Sequence, residues 1–237
     1  MNFYQRISVS IALYFTLISP LLAMHQARNF HYHSAGVVPY AVDNNQVWIL
    51  VGTEPARHNQ AFDFGGKKDP EDKNNPAFTG AREGTEELLF MYDESDQEFI
   101  RLANLFTAHG RNFNLYKANS VTYPRLLDKI QNGFNSFSNG YMTYFVKISY
   151  RPQIPDMFEN RRQKFSKNIP YQWMEKNQLY WIKLSDLINT LKNVRDFNSV
   201  WVPAQSQKRG TVNIQLFPSF AQSLSVALHN GTLARLK

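Results

Sequence analysis

The sequence predicts an α/β fold, an α/β/α sandwich around a mixed β-sheet. Three observations carry that prediction. Apolar runs with strand character alternate along the chain with segments of helical periodicity, the order that places helices on both faces of a sheet. The first two apolar runs are joined by a short polar turn, so the sheet contains at least one antiparallel pair. With 43% apolar and 14% aromatic residues among 237, the chain can fill a core and lacks the composition of a disordered one.

Taken in order, Ala35 to Val42 and Val47 to Thr53 are the two β-rich runs, and Asp43-Asn44-Asn45-Gln46 between them is a hairpin signal. Phe62 to Phe64 reads as a short third strand entering Gly65-Gly66. Asn75-Pro76 opens a helix, an N-cap residue followed by proline at the first helical position. Phe78, Ala81, Thr85, Leu88 and Tyr92 give that helix a largely apolar stripe. A second helix is expected over about Asp96 to Phe106. A short third helix covers Arg125 to Gln131 and is closed by a turn-rich segment, Asn132 to Gly140.

Tyr141 to Tyr150 is almost continuously apolar, as expected of a central strand covered on both faces. Pro152 to Pro170 is polar, basic and flanked by prolines, which predicts a long loop or lid. Glu175 to Leu184 gives another strand, and Ser185 is the expected cap of a helix from Asp186 to Lys192. Thr211 to Phe217 is a late strand, and Ser219 to Leu228 a closing amphipathic helix.

Residues 1–23 have a short positive start, an apolar run from Ile7 to Leu22 and a small residue at Ala23. That is the anatomy of a secretory signal peptide cut after Ala23, with an uncleaved membrane anchor as the alternative. Residues 24–237 are then expected to form a single domain, exported or membrane-anchored. The absence of cysteine excludes disulfides, thiol nucleophiles and thiolate metal sites, leaving carboxylates and histidines as metal ligands. A net charge of +7 favours polyanions, with weak contact to an anionic membrane among the partners it allows. No nucleic-acid module accompanies the basic clusters, so no specific nucleic-acid partner is predicted. Neither a G-x-S-x-G elbow nor a G-x4-G-K-[ST] phosphate loop is present.

The chemistry lies in Gly65 to Phe90. At about 100° per residue, Glu83, Glu86 and Glu87 share one narrow face of the predicted helix. Two such charges about 5 Å apart repel by roughly 3 kcal/mol at an effective dielectric of about 20. A hard divalent cation with oxygen ligands relieves that repulsion and makes the cluster useful. Arg82 is placed to reach Glu86 one turn on.

The segment resembles the Nudix box of the Nudix hydrolases, G-x5-E-x7-R-E-U-x-E-E-x-G-U, with U aliphatic. Gly66 matches the opening glycine, and Arg82, Glu83, Glu86 and Glu87 match the R-E and E-E pairs in register. The match departs from the pattern in three places. The stretch from Gly66 to Arg82 is two residues longer than the pattern allows, so Glu71, Asp72 and Asn74 all compete for the early acidic position. Gly84 replaces an aliphatic residue, at a cost of about 1 kcal/mol in helix propensity, and is expected to let another backbone approach. Leu89 replaces the late glycine, so the helix is expected to run on to about Asp93. Glu175-x5-Trp181-Ile182-x-Leu184 before a helix also follows the family's order.

The resemblance implies a Nudix-like α/β/α sandwich and hydrolysis of the pyrophosphate bond in a nucleoside diphosphate linked to a group X. It implies Mg2+ or Mn2+ held by Glu83, Glu86 and Glu87, with the Gly66 carbonyl as a further ligand, and Arg82 orienting the glutamates. Glu87 is the first candidate for the general base and Glu159, in the 152–170 loop, the second. Arg57, Lys67 and Lys68 are candidate phosphate contacts. Tyr40, Phe62 and Phe64 are expected chiefly as core residues, with base stacking as the alternative. Two other readings stay open: a Nudix-fold module that binds a nucleotide without turnover, and a basic protein that binds anionic surfaces while the acidic helix is merely solvated.

Overall fold

Strand β1 (Ser34–Asp43) is the hub of the molecule. The computed structural model describes residues 31–89, 96–109, 121–167 and 171–237, and the fold below is that of the unit His33–Lys237. The remaining strands are β2 (Gln46–Glu54), β3 (Gln60–Phe62), β4 (Phe64–Lys67), β5 (Phe134–Ser138), β6 (Tyr141–Lys147), β7 (Gln178–Lys183), β8 (Trp201–Ser206) and β9 (Gly210–Gln215). They form one mixed sheet in the order β5-β6-β1-β2-β7-β8-β9, with β3 added to β2 and β4 added to β1. β1 runs antiparallel to β2 and parallel to β6.

Hairpin β1–β2 turns through Asn44 and Asn45, both at positive φ, a conformation asparagine tolerates better than most residues. Farther along, the two strands part. The first residues of β1 pair with β4 and the last of β2 with β3, so β3 and β4 fill the fork. The expected single third strand is therefore two, interrupted at Asp63.

The helices are α1 (Pro76–Glu87), α2 (Asp96–His109), α3 (Thr122–Gln131), α4 (Ile154–Lys164), α5 (Leu184–Lys192) and α6 (Pro218–His229). Strand alternation divides the core. Val37 and Leu50 pack with Ala81 of α1 and Leu88 at its C-cap, Phe99 of α2, Leu126 of α3 and Phe158 of α4. Val38 and Ile49 point to the other face, against Leu187 of α5 and Phe220 and Leu224 of α6. This is the α/β sandwich around a mixed sheet that the alternating pattern predicts.

Several local expectations are corrected. The stretch 132–140 contains strand β5, because Asn139 and Gly140, at φ 50° and 78°, form a hairpin turn onto β6. The 152–170 segment contains helix α4, anchored by buried Ile154 and Phe158. Strand β8 lies between two predicted elements, and β7 begins at Gln178, so Glu175 precedes it. Helix α5 starts at Leu184 with Lys183 as its N-cap, and Ser185 does not cap it.

Helix α1 ends at Glu87, not near Asp93. Leu89 takes φ 49°, the left-handed conformation a glycine would supply, and its buried side chain offsets the backbone cost. Arg161 of α4 donates from Nη1 to the Leu89 carbonyl at 2.8 Å. Gly84 is close to side chains rather than to another backbone: a Cβ there would meet Leu126 at 3.0 Å and Val37 at 3.1 Å. The segment 1–23 and Tyr92 lie outside the described residues. Among the described residues, no helix is long and apolar enough to cross a membrane.

Candidate active site

The start of α1 fixes everything that follows. The Asn75 side chain accepts from the Ala77 amide at 3.0 Å, and Pro76 occupies the first turn. Just before it, Pro70–Asp72 forms a 3-10 turn. Asp72 is buried there. It accepts from the Asp69 amide at 2.8 Å and from the Thr79 hydroxyl at 2.8 Å.

Arg82, two turns into α1, gathers the site. Its Nε and Nη2 donate to the two Asp72 oxygens at 3.2 and 3.1 Å, the forked pairing suited to a guanidinium. Nη2 also donates to the Lys67 carbonyl at 2.9 Å, tying the end of β4 to the helix. Nη1 donates to Glu83 Oε1 at 2.9 Å and lies 3.8 Å from Glu86 Oε2. Burial works against the charge on Arg82, but Glu83, Asp72 and Glu86 outweigh it and hold its pKa above the ordinary value. Of the three candidates for the early acidic position, the structure places Asp72 against Arg82. Glu71 is exposed, and Asn74 accepts from Lys68 at 3.1 Å.

Gly66 lies so near Glu83 that a Cβ on it would sit 2.5 Å from Oε1. β4 brings Gly66 there by pairing with Ala35 of β1. Burial raises the Glu83 pKa to about 7, opposed by Arg82. Burial and then Glu83 raise that of Glu86 to about 8. Glu86 is 9% exposed and Glu87 only 2%.

Glu87 turns to a second cluster. Its two oxygens are buried without a hydrogen-bond partner, and Lys176 Nζ lies 3.6 Å from Oε2. Burial raises its pKa well above the ordinary range, opposed by Lys176. Lys176, fully buried, also donates to Glu54 at the end of β2. Burial disfavours the ammonium, but Glu87 and Glu54 more than restore it, and its pKa is raised. One oxygen from each of Glu54, Glu87 and Glu175 lies within 4.8 Å of the others.

A further acid lies near Lys176 and Glu54 of the second cluster. Asp63, at the break between β3 and β4, is completely buried and accepts from the Tyr141 hydroxyl at 2.8 and 2.9 Å. Tyr141 reaches it across Gly36 and Gly65, which face each other in the β1–β4 ladder. A Cβ on either glycine would lie 2.2 Å from the Tyr141 hydroxyl. Burial raises the Asp63 pKa to about 7, opposed by Lys176 and the tyrosine.

The candidate residues thus fall into groups. Arg82, Glu83, Glu86 and Gly66 are together, and Glu87 adjoins them while facing Lys176. Arg57 donates from Nε to Glu54 at 2.5 Å and stacks on Phe217 at 4.4 Å and Phe62 at 5.1 Å. Lys67, the last residue of β4, is exposed beside Gly66, and Lys68 bonds Asn74. Glu159 lies on α4, within 3.4 Å of Lys208 and 3.9 Å of Arg209. Tyr40, Phe62 and Phe64 are core residues.

Sequence reasoning missed Glu54, Asp63, Tyr141, Glu175 and Lys176. One signal was available. Asp63 interrupts the aromatic pair Phe62 and Phe64 in a strand otherwise fit for burial. No protein-family model matches the chain, and no curated protein sequence matches it.

Proposed function

We propose that the protein is a metal-dependent hydrolase of the Nudix type, cleaving the pyrophosphate bond of a nucleoside diphosphate linked to a group X. One observation carries this reading: Arg82 binds Asp72, Glu83 and Glu86 beside Gly66 of β4, while the next carboxylate, Glu87, is buried with both oxygens lacking hydrogen bonds. Buried carboxylates unsatisfied by protein donors suit a hard cation.

The donor set fits Mg2+ or Mn2+. Glu83, Glu86 and Glu87 would hold it, with Glu54 and Glu175 beside Glu87. Such an ion neutralises phosphate charge and acidifies bound water. The chain does the rest. Arg82 holds Glu83 in one orientation by a charge-assisted bond, and Asp72 holds Arg82. Glu87, whose pKa burial raises, is the carboxylate this reading assigns as the proton acceptor. Glu159 is tied to the basic β8–β9 turn, which supports Glu87 as the base over Glu159. Lys67, exposed on the rim, and Arg57, through its guanidinium, are the phosphate contacts in this reading.

A second reading, a nucleotide-binding module without turnover, has one observation in its favour: the Lys176 ammonium already compensates Glu87. Incubation with ADP-ribose, NAD, dinucleoside polyphosphates, nucleotide sugars, CoA and nucleoside triphosphates, with Mg2+ or Mn2+, separates the two. Hydrolysis that disappears in Glu86→Gln and Glu87→Gln supports the enzyme. Binding of a panel member without turnover by the unaltered protein supports the module.

A further inference from the structure

We propose that Lys176 is a built-in cation that takes the place of a second divalent ion, so that the site loads with one metal. This rests on the metal-dependent reading above and adds how many ions the site accepts.

The spacing of the acids comes first. Oxygens of Glu54, Glu87 and Glu175 lie within 4.8 Å of one another. Ligands on opposite sides of a Mg2+ or Ca2+ ion are separated by about 4–5 Å, twice the metal–oxygen distance. The three acids are therefore grouped as around a cation. Both Glu87 oxygens are buried without a hydrogen bond, an independent sign that its charge is left to a cation rather than to hydrogen-bond donors.

The ammonium of Lys176 lies between two of these acids, bonded to Glu54 and 3.6 Å from Glu87 Oε2. It is built in rather than swung in. A Cβ on Gly52 would sit 2.8 Å from Lys176 Cδ and 2.9 Å from Cγ, so the missing methyl of β2 makes the channel for its stem. Phe62 and Phe64 flank the charge at 5.3 and 5.9 Å from their ring centroids. The next residue, Asn177, donates its amide to the Thr53 carbonyl at 2.9 Å and accepts from the Thr53 hydroxyl at 2.7 Å.

An ammonium has no lone pair to offer a metal, and it repels one. To admit an ion between Glu54 and Glu87, the Lys176 ammonium would have to give up its place between them. Glu83 and Glu86, bridged by Arg82, remain for the one ion of that reading, with Glu87 next to them in the chain. Lys176 is thus a positioning residue: it holds Glu54 and Glu87 in place as a metal would, without exchanging with solvent.

The test is Mn2+ stoichiometry on the metal-free full chain, by calorimetry and by electron paramagnetic resonance of free Mn2+. The unaltered protein is expected to bind one ion at this site, and Lys176→Arg one. Lys176→Met should bind two, and its melting temperature should rise more with Mn2+ than that of the unaltered protein. Two ions in the unaltered protein overturn the proposal even if Lys176→Met fails to fold. One ion in a folded Lys176→Met overturns it too, and leaves the metal-dependent reading standing. No Mn2+ bound by any form overturns both.

Discussion

Gly66 and Glu83 are in such close apposition that one added methyl would fall 2.5 Å from a carboxylate oxygen. The contact is with the far end of a side chain, so the fold can yield while the carboxylate cannot stay where it is. Gly66→Ala is therefore expected to lower Mn2+ affinity about tenfold or more, the scale seen when ligand orientation is lost. Its urea midpoint should change little. A variant that binds Mn2+ as tightly as the unaltered protein would show that the Glu83 position is unimportant.

Arg82 and Asp72 form the inner pair of the same site, and Asp72 is 2% exposed. Removing one partner of a buried pair strands the other. Arg82→Ala is expected to cost about 3–5 kcal/mol in urea unfolding, and Asp72→Ala a comparable amount. The double variant should cost much less than the two together, because each single change already breaks the forked bond. Additive losses would rule the pairing out as the source.

The metal-free protein should be least stable at the upper end of the neutral range. Asp63 and Glu83 have pKa values raised to about 7, and Glu86 to about 8. Between about pH 4 and about pH 8 the folded chain holds protons that the unfolded chain has released, so stability falls as pH rises through that window. Cation binding displaces those protons, so the stabilisation by Mg2+ should grow with pH. Thermal melts at several pH values, with and without Mg2+, check both trends. A flat metal-free profile would contradict the burial of these acids.

Tyr141→Phe deletes the donor on which buried Asp63 depends. The expected loss is about 1–3 kcal/mol in urea unfolding, the cost of leaving a buried acceptor unsatisfied. Gly36→Ala and Gly65→Ala should give at least as large a loss, because a Cβ on either glycine collides with the same hydroxyl. Wild-type stability in Tyr141→Phe would mean that the acid finds another donor.

What the sequence made legible was local. Asn75-Pro76 marks the start of α1 by its own chemistry, and the turn at Asn44-Asn45 marks hairpin β1–β2. The acidic face of α1 is visible from spacing alone. Lys176 and Glu54 are not, because 122 positions separate them and only the pairing of β2 with β7 brings them together. Helix α4 was hidden because its surface is basic and polar, while few residues, Ile154 and Phe158 among them, anchor it. The choice among Glu71, Asp72 and Asn74 also needed tertiary structure, since all three lie in one short turn and differ only in what faces them.

The glycine stretch before α1 is sheet rather than loop. Gly65 and Gly66 are laddered to Gly36 and Ala35, in the fork that β1 and β2 open around Asp63. The backbone facing Glu83 is therefore preorganised: its conformational entropy is lost as the chain folds, not when a ligand arrives. Recognition at this rim should accordingly proceed with little rearrangement of the polypeptide itself.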